Sequence, residues 1–550
     1  MNKTLLFLAV FFGIFGSIHS QTIPVLERKV TLAVQDARID NILKQLAQDA
    51  GCVFSYSSSA IDVSRTFSGD FDGSPLREVL EVVFEGRVQL KPKGVYVILT
   101  PKPDSSKEVT ISGYVVDERG DGIRDATVYD PITLKSSTTD EYGFFQFDVK
   151  NPATENFELV VNKKDFNDTL VMDRSGNSFQ KILLKTEGVG KSIAEPVKNF
   201  WLWTKNSIGV TNLENVSDTI RRGFQFSLIP FVGSNRKISG SVVNDYSLNL
   251  LGGFSGGTGK AELGGLFNIN KGDVRFVQFA GLFNQVGGTA SGVQMAGLAN
   301  STLGSVNAAQ VAGLINFTTG DVNGLQLAGL MNLTTRSVRG GQLAGLINYS
   351  HRDVRGAQVA GILNIGRNVY GSQVGLLNYS DSTSGAPIGL ISFVRKGYHK
   401  VEVGADEVFP LNVALRTGTR SFYNILFAGM RPEQTDSITW AFGYGVGTSP
   451  RLGKKTFLNI EVSSEQMVKG NVEALNLINT AYLGFDWQVV KGFGLYAGPS
   501  LNWRLYDSSY TNHPELFDYL TPKILAEKTY PVENLASQLW VGFRAGVRFF

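Results

Sequence analysis

Apolar and polar positions through the middle of the chain keep a fixed beat. Between Val293 and Asn348 a unit V-x-G-x-Q-(V/L/M)-A-G-(L/I)-(I/M/F/L)-N returns repeatedly. Each copy ends in a polar turn such as Thr318-Thr319-Gly320-Asp321 or Ser350-His351-Arg352-Asp353. The polar residue ahead of the small pair marks the register. It falls at Glu262, Gln278, Gln294, Gln310, Gln326, Gln342, Gln358 and Gln373, in steps of sixteen residues with a last step of fifteen. Within one unit Leu325, Leu327 and Met331 alternate against Gly324, Gln326, Ala328, Leu330 and Asn332. That is a period of two, which predicts strand. A glycine in every unit argues against helix, where it costs about 1 kcal/mol relative to alanine.

Two objects fit such a unit. One is an antiparallel meander with a strand and a tight turn per unit. A tilted strand of about 9–11 residues is what a membrane-spanning barrel uses. The other is a β-solenoid with one coil per unit. The repeat by itself fits both. Flanking segments favour the barrel. After Asn378 the repeat dissolves, but extended amphipathic stretches continue, including "FPLNVALRTG", "SITWAFGYGVG", "INTAYLGFDWQV" and "QLWVGFRAGVRFF".

In the last stretch Leu539, Val541, Phe543, Ala545, Val547 and Phe549 alternate with Gly542, Arg544, Gly546 and Arg548. This resembles the closing strand of outer-membrane barrels, which ends in an aromatic residue and guides assembly. The barrel assembly machinery is therefore an implied partner. Phe543, Val547, Phe549 and the terminal Phe550 are the residues assigned to that strand. One departure is that the apolar face is in phase with Phe549 rather than Phe550. The repeat also resembles bacterial surface-repeat proteins of the GxQxAGLxN type, which implies an envelope location.

The expected fold is mainly β. It comprises a small periplasmic αβ domain, a prealbumin-like sandwich, and a C-terminal antiparallel transmembrane barrel of about 16–20 strands. The barrel is assigned to 221–550, with the repeats at about 260–378 inside it. Gln278, Gln294, Gln310, Gln326, Gln342, Gln358 and Gln373 would form a row facing its lumen, with the apolar rows facing outer-membrane lipid.

The N-terminal third reads differently. "MNKTLLFLAVFFGIFGSIHS", residues 1–20, has the pattern of a secretory signal peptide. In 21–103, Ile39, Ile42, Leu43, Leu46, Ala47 and Ala50 recur at helical spacing, with Gly51 as a stop. A second helix is expected in "SPLREVLEVVFEG", capped by Ser74, with Pro75 in its first turn and Gly86 at its end. "ILKQLAQDAGCVFSYS", "SGDFDGSPLREVLEVVFEG" and "GVYVIL" resemble the short N-terminal domain of secretins and TonB-dependent transducers. That resemblance implies a periplasmic protein-contact domain and, as partner, a periplasmic or inner-membrane regulator.

Residues 107–187 alternate as a β-sandwich with Gly and Asp at the turns. Ile111-Ser112-Gly113, Ala126-Thr127-Val128 and Asp140-Glu141-Tyr142-Gly143-Phe144-Phe145 resemble the carboxypeptidase regulatory-like domain, a fold without peptidase chemistry. A linker, 188–220, carries Phe200, Trp201 and Trp203, suited either to a membrane interface or to packing. TonB-dependent receptors share these two domains but place a plug before the barrel. The stretch from Thr186 to 221 is too short for one.

Composition narrows the chemistry. A net charge of +3 over 550 residues, without a basic stripe, gives no nucleic-acid signal. The lone Cys52 permits no intrachain disulfide. His351, His399 and His513 lie far apart without ligand spacing. "GGFSGGTGK" at 252–260 lacks the phosphate-loop frame, since Ala261 follows Lys260. Glu402, Asp406 and Glu407 form a small acidic group, read as surface or lumen charge. No catalytic, cofactor or metal residue is assigned. The expectation is a non-enzymatic outer-membrane protein with a link to envelope signalling or TonB-type transduction. The alternatives are a plugless passive pore and a surface solenoid used as adhesin or scaffold.

Overall fold

The computed structural model describes residues 23–550 except 59, 103–107, 151–156, 174–178, 187–207, 217–218, 434–437, 470–473 and 550. The expected signal peptide, the Trp201–Trp203 cluster and Phe550 lie outside the described residues. The chain divides into two compact units, one N-terminal and one holding 219–550.

In the first unit, helices Ile39–Ala50 and Leu76–Val83 pack their apolar stripes into one core with the strands Lys29–Arg38 and Tyr96–Pro101. Gly51 ends the first helix in the left-handed region at φ 60°, and its N–H reaches the Ala47 carbonyl. The second helix starts one residue later than Ser74 capping requires. Pro75 is its N-cap residue, and no side chain caps it. Its last helical residue is Val83, three short of the expected stop at Gly86.

Residues 108–183 form two facing sheets of four and three strands around Val115, Val128, Leu159 and Val161. Tyr114 links the two domains. Its hydroxyl donates to Glu27 Oε2 at 2.8 Å, while Arg77 pairs with Glu27 Oε1 at 2.8 Å and lies 4.0 Å over the Phe144 ring. Burial, then the adjacent Glu27 charge, push the Tyr114 phenol far above its ordinary range. Helix Ile208–Asn215 docks on the sandwich through two asparagines. Thr127 donates to Asn212 Oδ1 at 2.9 Å, and Asn215 Nδ2 reaches the Asp125 carbonyl at 2.6 Å.

In the second unit the repeat and the C-terminal strands are separate objects. Residues 220–394 form one 22-stranded sheet in which long and short strands alternate; apart from Val232–Gly233, which folds back antiparallel on Ile220–Ile229, the strands pair in parallel with their counterparts one coil away. Gln310 stands beside Gln326 and Asn316 beside Asn332. This is a solenoid. Residues 398–549 form a closed antiparallel barrel of eight strands, from Tyr398–Ala405 to Leu535–Phe549, closed by pairing Val403 with Val547. A further strand, Ile524–Tyr530, lies on the outer part of the last one.

The mainly β architecture with a C-terminal closed antiparallel barrel is therefore present. The barrel has eight strands rather than 16–20, and 221–394 does not belong to it. The physical reason is coil geometry. Each unit splits into a seven-residue strand such as Val322–Ala328 and a four-residue strand such as Met331–Thr334, too short to span a bilayer. The Ala-Gly-Leu corner between them turns the chain back onto its own coil. A kink inside the long strand sets one residue per coil at positive φ, a position held by Gly292, Gly324, Gly340 and Gly356 and, in two other coils, by Phe276 and Ala308. At Gly324, φ is 141° and an added Cβ would stand 1.8 Å from the Ala308 carbonyl oxygen of the preceding coil.

Candidate functional site

Two polar interiors dominate the second unit. In the solenoid the glutamine row does not face a lumen. It is sealed inside, each member at most 1 % exposed. Gln278 Nε2 donates to Glu262 Oε2 at 2.9 Å. Gln294 then donates to Gln278 at 2.7 Å, and Gln310 to Gln294, Gln326 to Gln310, Gln342 to Gln326, Gln358 to Gln342 and Gln373 to Gln358, each at 2.8 Å. Threonines of the short strands add a donor. Thr318 Oγ1 reaches Gln310 Oε1 and Thr334 Oγ1 reaches Gln326 Oε1, both at 3.0 Å.

A second row runs in the opposite sense. Asn300 Nδ2 donates forward to Asn316 Oδ1 at 3.0 Å, Asn316 to Asn332 at 2.9 Å and Asn332 to Asn348 at 2.9 Å. The other Nδ2 hydrogen of Asn316 goes to the Leu327 carbonyl at 2.7 Å, which fixes the amide's orientation. The row ends at Ser392, which accepts from Asn378 at 3.1 Å.

At the other end of the glutamine row stands Glu262, fully buried and without a cation partner among the described residues. It accepts from Asn249, Thr258, Asn270 and Gln278. Burial raises its carboxyl above the ordinary range despite those donors. Sequence reading found the row but not its role, because the distinction between lumen and core depends on which coil lies beside which.

The barrel interior combines a buried ion-pair network with an apolar cluster that includes Phe409, Phe427, Met467 and Trp540. Arg416, fully buried, grips Glu461 with Nε at 3.0 Å and Nη2 at 2.8 Å, and reaches Glu402 at 2.6 Å. Arg548 binds Glu402 at 2.7 Å and Asp486 at 3.1 Å. Arg544 lies 3.3 Å from Glu465 and 3.4 Å from Asp406. Glu402, Asp406 and Glu407, singled out in the sequence as a group, all point into this interior but serve different partners. Glu407 accepts from Trp540 Nε1 at 2.6 Å, Asn502 Nδ2 at 2.9 Å and the Phe543 backbone N–H at 3.0 Å. That N–H falls in the gap on the last strand between its pairing with Ile524 and its pairing with Ala405. Glu407 thus fastens the barrel seam. Gly542 makes room for it, since a Cβ there would meet Glu407 Oε1 at 2.0 Å.

The rim with the longest loop is covered. Arg431 holds the Glu515 and Leu516 carbonyls at 2.7 and 3.3 Å, and Phe517 packs edge-on to Trp540.

The outer wall is apolar. Phe543 is 57 % exposed and Phe549 43 %, with Val462, Leu483 and Phe485 likewise exposed, while Val547 is half-buried. His351 and His513 hydrogen-bond to Tyr349 and to the Asp507 carbonyl, and His399 to the Val394 carbonyl. Among the described residues no group of His, Cys, Asp and Glu is placed to hold a metal ion. The 252–260 segment forms two strands of the first coils. Cys52 is buried just past its helix end, and burial raises its thiol. Compared with known proteins, the chain matches no family model, no curated protein and no solved structure.

Proposed function

We propose that this chain is a non-enzymatic outer-membrane protein. Its barrel serves as an anchor, and its N-terminal domains make protein contacts in the periplasm. The observation that carries the reading is the polarity of the barrel. Arg416, Glu461, Glu402 and Arg548 are paired in its interior, beside a buried cluster that includes Tyr423, Phe427, Met467 and Trp540, and Val462, Leu483, Phe485 and Phe543 cover its outside. In water that distribution is unfavourable; in hydrocarbon it is the favourable one, because every barrel strand also pairs its backbone. An eight-stranded barrel is just wide enough for side chains to fill. The ion pairs and the Arg431-held loop support an anchor over a passive pore. The signal-peptide pattern and the secretin/TonB-type motifs support the envelope location and suggest a periplasmic or inner-membrane regulator as partner. The barrel assembly machinery and outer-membrane lipid are the other partners.

A scaffold role is the second reading, favoured by the parallel coils of 220–394. The test is expression of the full chain with its leader, followed by fractionation and gel mobility with and without boiling. Recovery in the outer membrane, with faster migration of the unboiled form and no conductance in planar bilayers, is the expected result. A chain that stays soluble and monodisperse without detergent overturns the reading.

A further inference from the structure

Inside the solenoid two amide rows run beside a buried row of small apolar residues that includes Ala290, Val306, Val322 and Val338. The larger leucines stand on its surface in a row at the Ala-Gly-Leu corner. The row runs every sixteen residues from Leu266 to Leu346 and on through Ile362, Leu376 and Leu390, with every member between 36 and 48 % exposed. Phe279, Met295, Leu343 and Val359 widen it on one side. At about 4.8 Å per coil the ridge is roughly 40 Å long, far beyond the scattered apolar exposure of a water-soluble surface. The opposite edge carries polar and glycine turns, as at Lys271, Asp321, Arg336, Ser337, His351 and Arg352, with Leu303 an apolar residue on it.

Two further observations identify what covers the ridge. First, its backbone is already satisfied. Gly313 N–H reaches the Ala296 carbonyl at 3.2 Å, Leu314 the Leu298 carbonyl at 2.9 Å and Ile315 the same carbonyl at 3.0 Å. A surface in hydrocarbon requires that; one meeting water does not.

Second, the last coil is fixed to the barrel's outer wall in one orientation. Thr417 Oγ1 accepts from Ser392 N–H at 3.2 Å, Asn424 Nδ2 donates to the Pro387 carbonyl at 3.1 Å, and Tyr444 OH donates to the Gly389 carbonyl at 2.9 Å. Thr417 and Asn424 pair with each other beside the short turn 419–422. Tyr444 pairs with Leu426, two residues further from that rim. Gly389 is the corner glycine of its coil. The apolar corner therefore points toward the middle of the barrel wall, while the polar edge runs on through Lys396 to the rim at Tyr398. That rim carries the connections 419–422, 449–455 and 491–492 and lies opposite the long 508–523 loop; in outer-membrane barrels the rim of long loops faces outward and the other faces the periplasm.

We infer that the leucine ridge is immersed in the periplasmic leaflet of the bilayer that surrounds the barrel, with acyl chains as its covering. The solenoid then lies along the membrane as a lateral arm, its polar edge in water. This rests on the reading of the barrel as membrane-embedded.

The test uses the full chain in a Cys52→Ser background, reconstituted in phosphatidylethanolamine–phosphatidylglycerol vesicles. Single spin labels are placed through Leu298→Cys, Leu330→Cys, Leu483→Cys and Arg336→Cys. Relaxation by oxygen reports lipid, and relaxation by a water-soluble nickel chelate reports solvent. The expected result is that the Leu298 and Leu330 labels match Leu483 on the barrel wall, with oxygen dominant, and that Arg336 shows the reverse. If Leu483 is in lipid while Leu298 and Leu330 respond to nickel, or to neither reagent, the inference falls and the barrel reading stands. If Leu483 also responds to nickel, both fall.

Discussion

The solenoid and the barrel solve the same problem with different chemistry. Both bury paired polar groups beside an apolar cluster and leave large apolar side chains outside. The solenoid uses amides, Gln on Gln and Asn on Asn; the barrel uses ion pairs, Arg416 and Arg548 against Glu402, Glu461 and Asp486. The difference follows from repetition. A residue that recurs in register every coil must be its own partner. A carboxylate or guanidinium stacked on its copies would repel them, whereas a primary amide carries both donor and acceptor. The barrel strands differ from one another, so complementary charges can be drawn from positions as far apart as Glu402 and Arg548.

That contrast can be broken from either side. Arg548→Met leaves Glu402 and Asp486 without one of their cations, and breaking such a buried set costs about 3–5 kcal/mol. The expected outcome is a large drop in the temperature at which the compact gel band is lost. Gln326→Leu removes the acceptor of Gln342 and the donor to Gln310 in a neutral core. Those orphaned groups are expected to cost about 2–3 kcal/mol in denaturant titration, against about 1–3 for a single unsatisfied group. A larger loss than for Arg548→Met would undo the idea that charge makes the barrel the more brittle region. Gly542→Ala should displace Glu407 from the seam at a cost of about 1 kcal/mol per lost hydrogen bond, read as a modest shift of the barrel transition with the solenoid unchanged.

The smallest effect belongs to Glu262, the one carboxylate at the end of the glutamine row. Its folded-state pKa is raised, so the folded chain binds a proton that the unfolded chain has released. Stability contributed by this group should fall as pH rises from the ordinary carboxyl range through the folded value, then level off. Glu262→Gln should erase that slope and equal or exceed the parent at neutral pH. Melting curves across pH 4–8 would show it, and an unchanged slope would mean that the four donors offset burial completely.

Much of this was written in the sequence, though not all of it could be decoded there. The sixteen-residue period, the inward phase of Gln326 and Asn332 and the outward phase of Leu325 and Leu327 follow from alternation alone. Leu330 breaks that alternation: it sits at the corner and is exposed, where a continuous strand would have turned it inward. Meander and solenoid share the same period, but they differ in what stands next to what. An antiparallel neighbour reverses the unit, so Gln would not face Gln. The recurrence of a self-complementary amide in every copy was the discriminating signal. In the barrel, Arg544 and Arg548 show as inward from the alternation of the last strand. Their partners do not, because Glu465 and Glu402 lie 79 and 146 residues away and nothing local links them.

The two amide rows also set what length changes the arm can absorb. Every inner coil presents the same donor to one neighbour and the same acceptor to the other, so any coil is a valid neighbour for any other. Only the ends are individual: Glu262 closes one row, and Ser392 with Thr417 closes the other against the barrel wall. Excising sixteen residues, such as 307–322, would rejoin Gln294 to Gln326 and Asn300 to Asn332 with no bond left over, shortening the arm by about 4.8 Å. The reach of the solenoid from the barrel is thus a quantised property, adjustable by duplication or loss of one coil without redesign of either terminus.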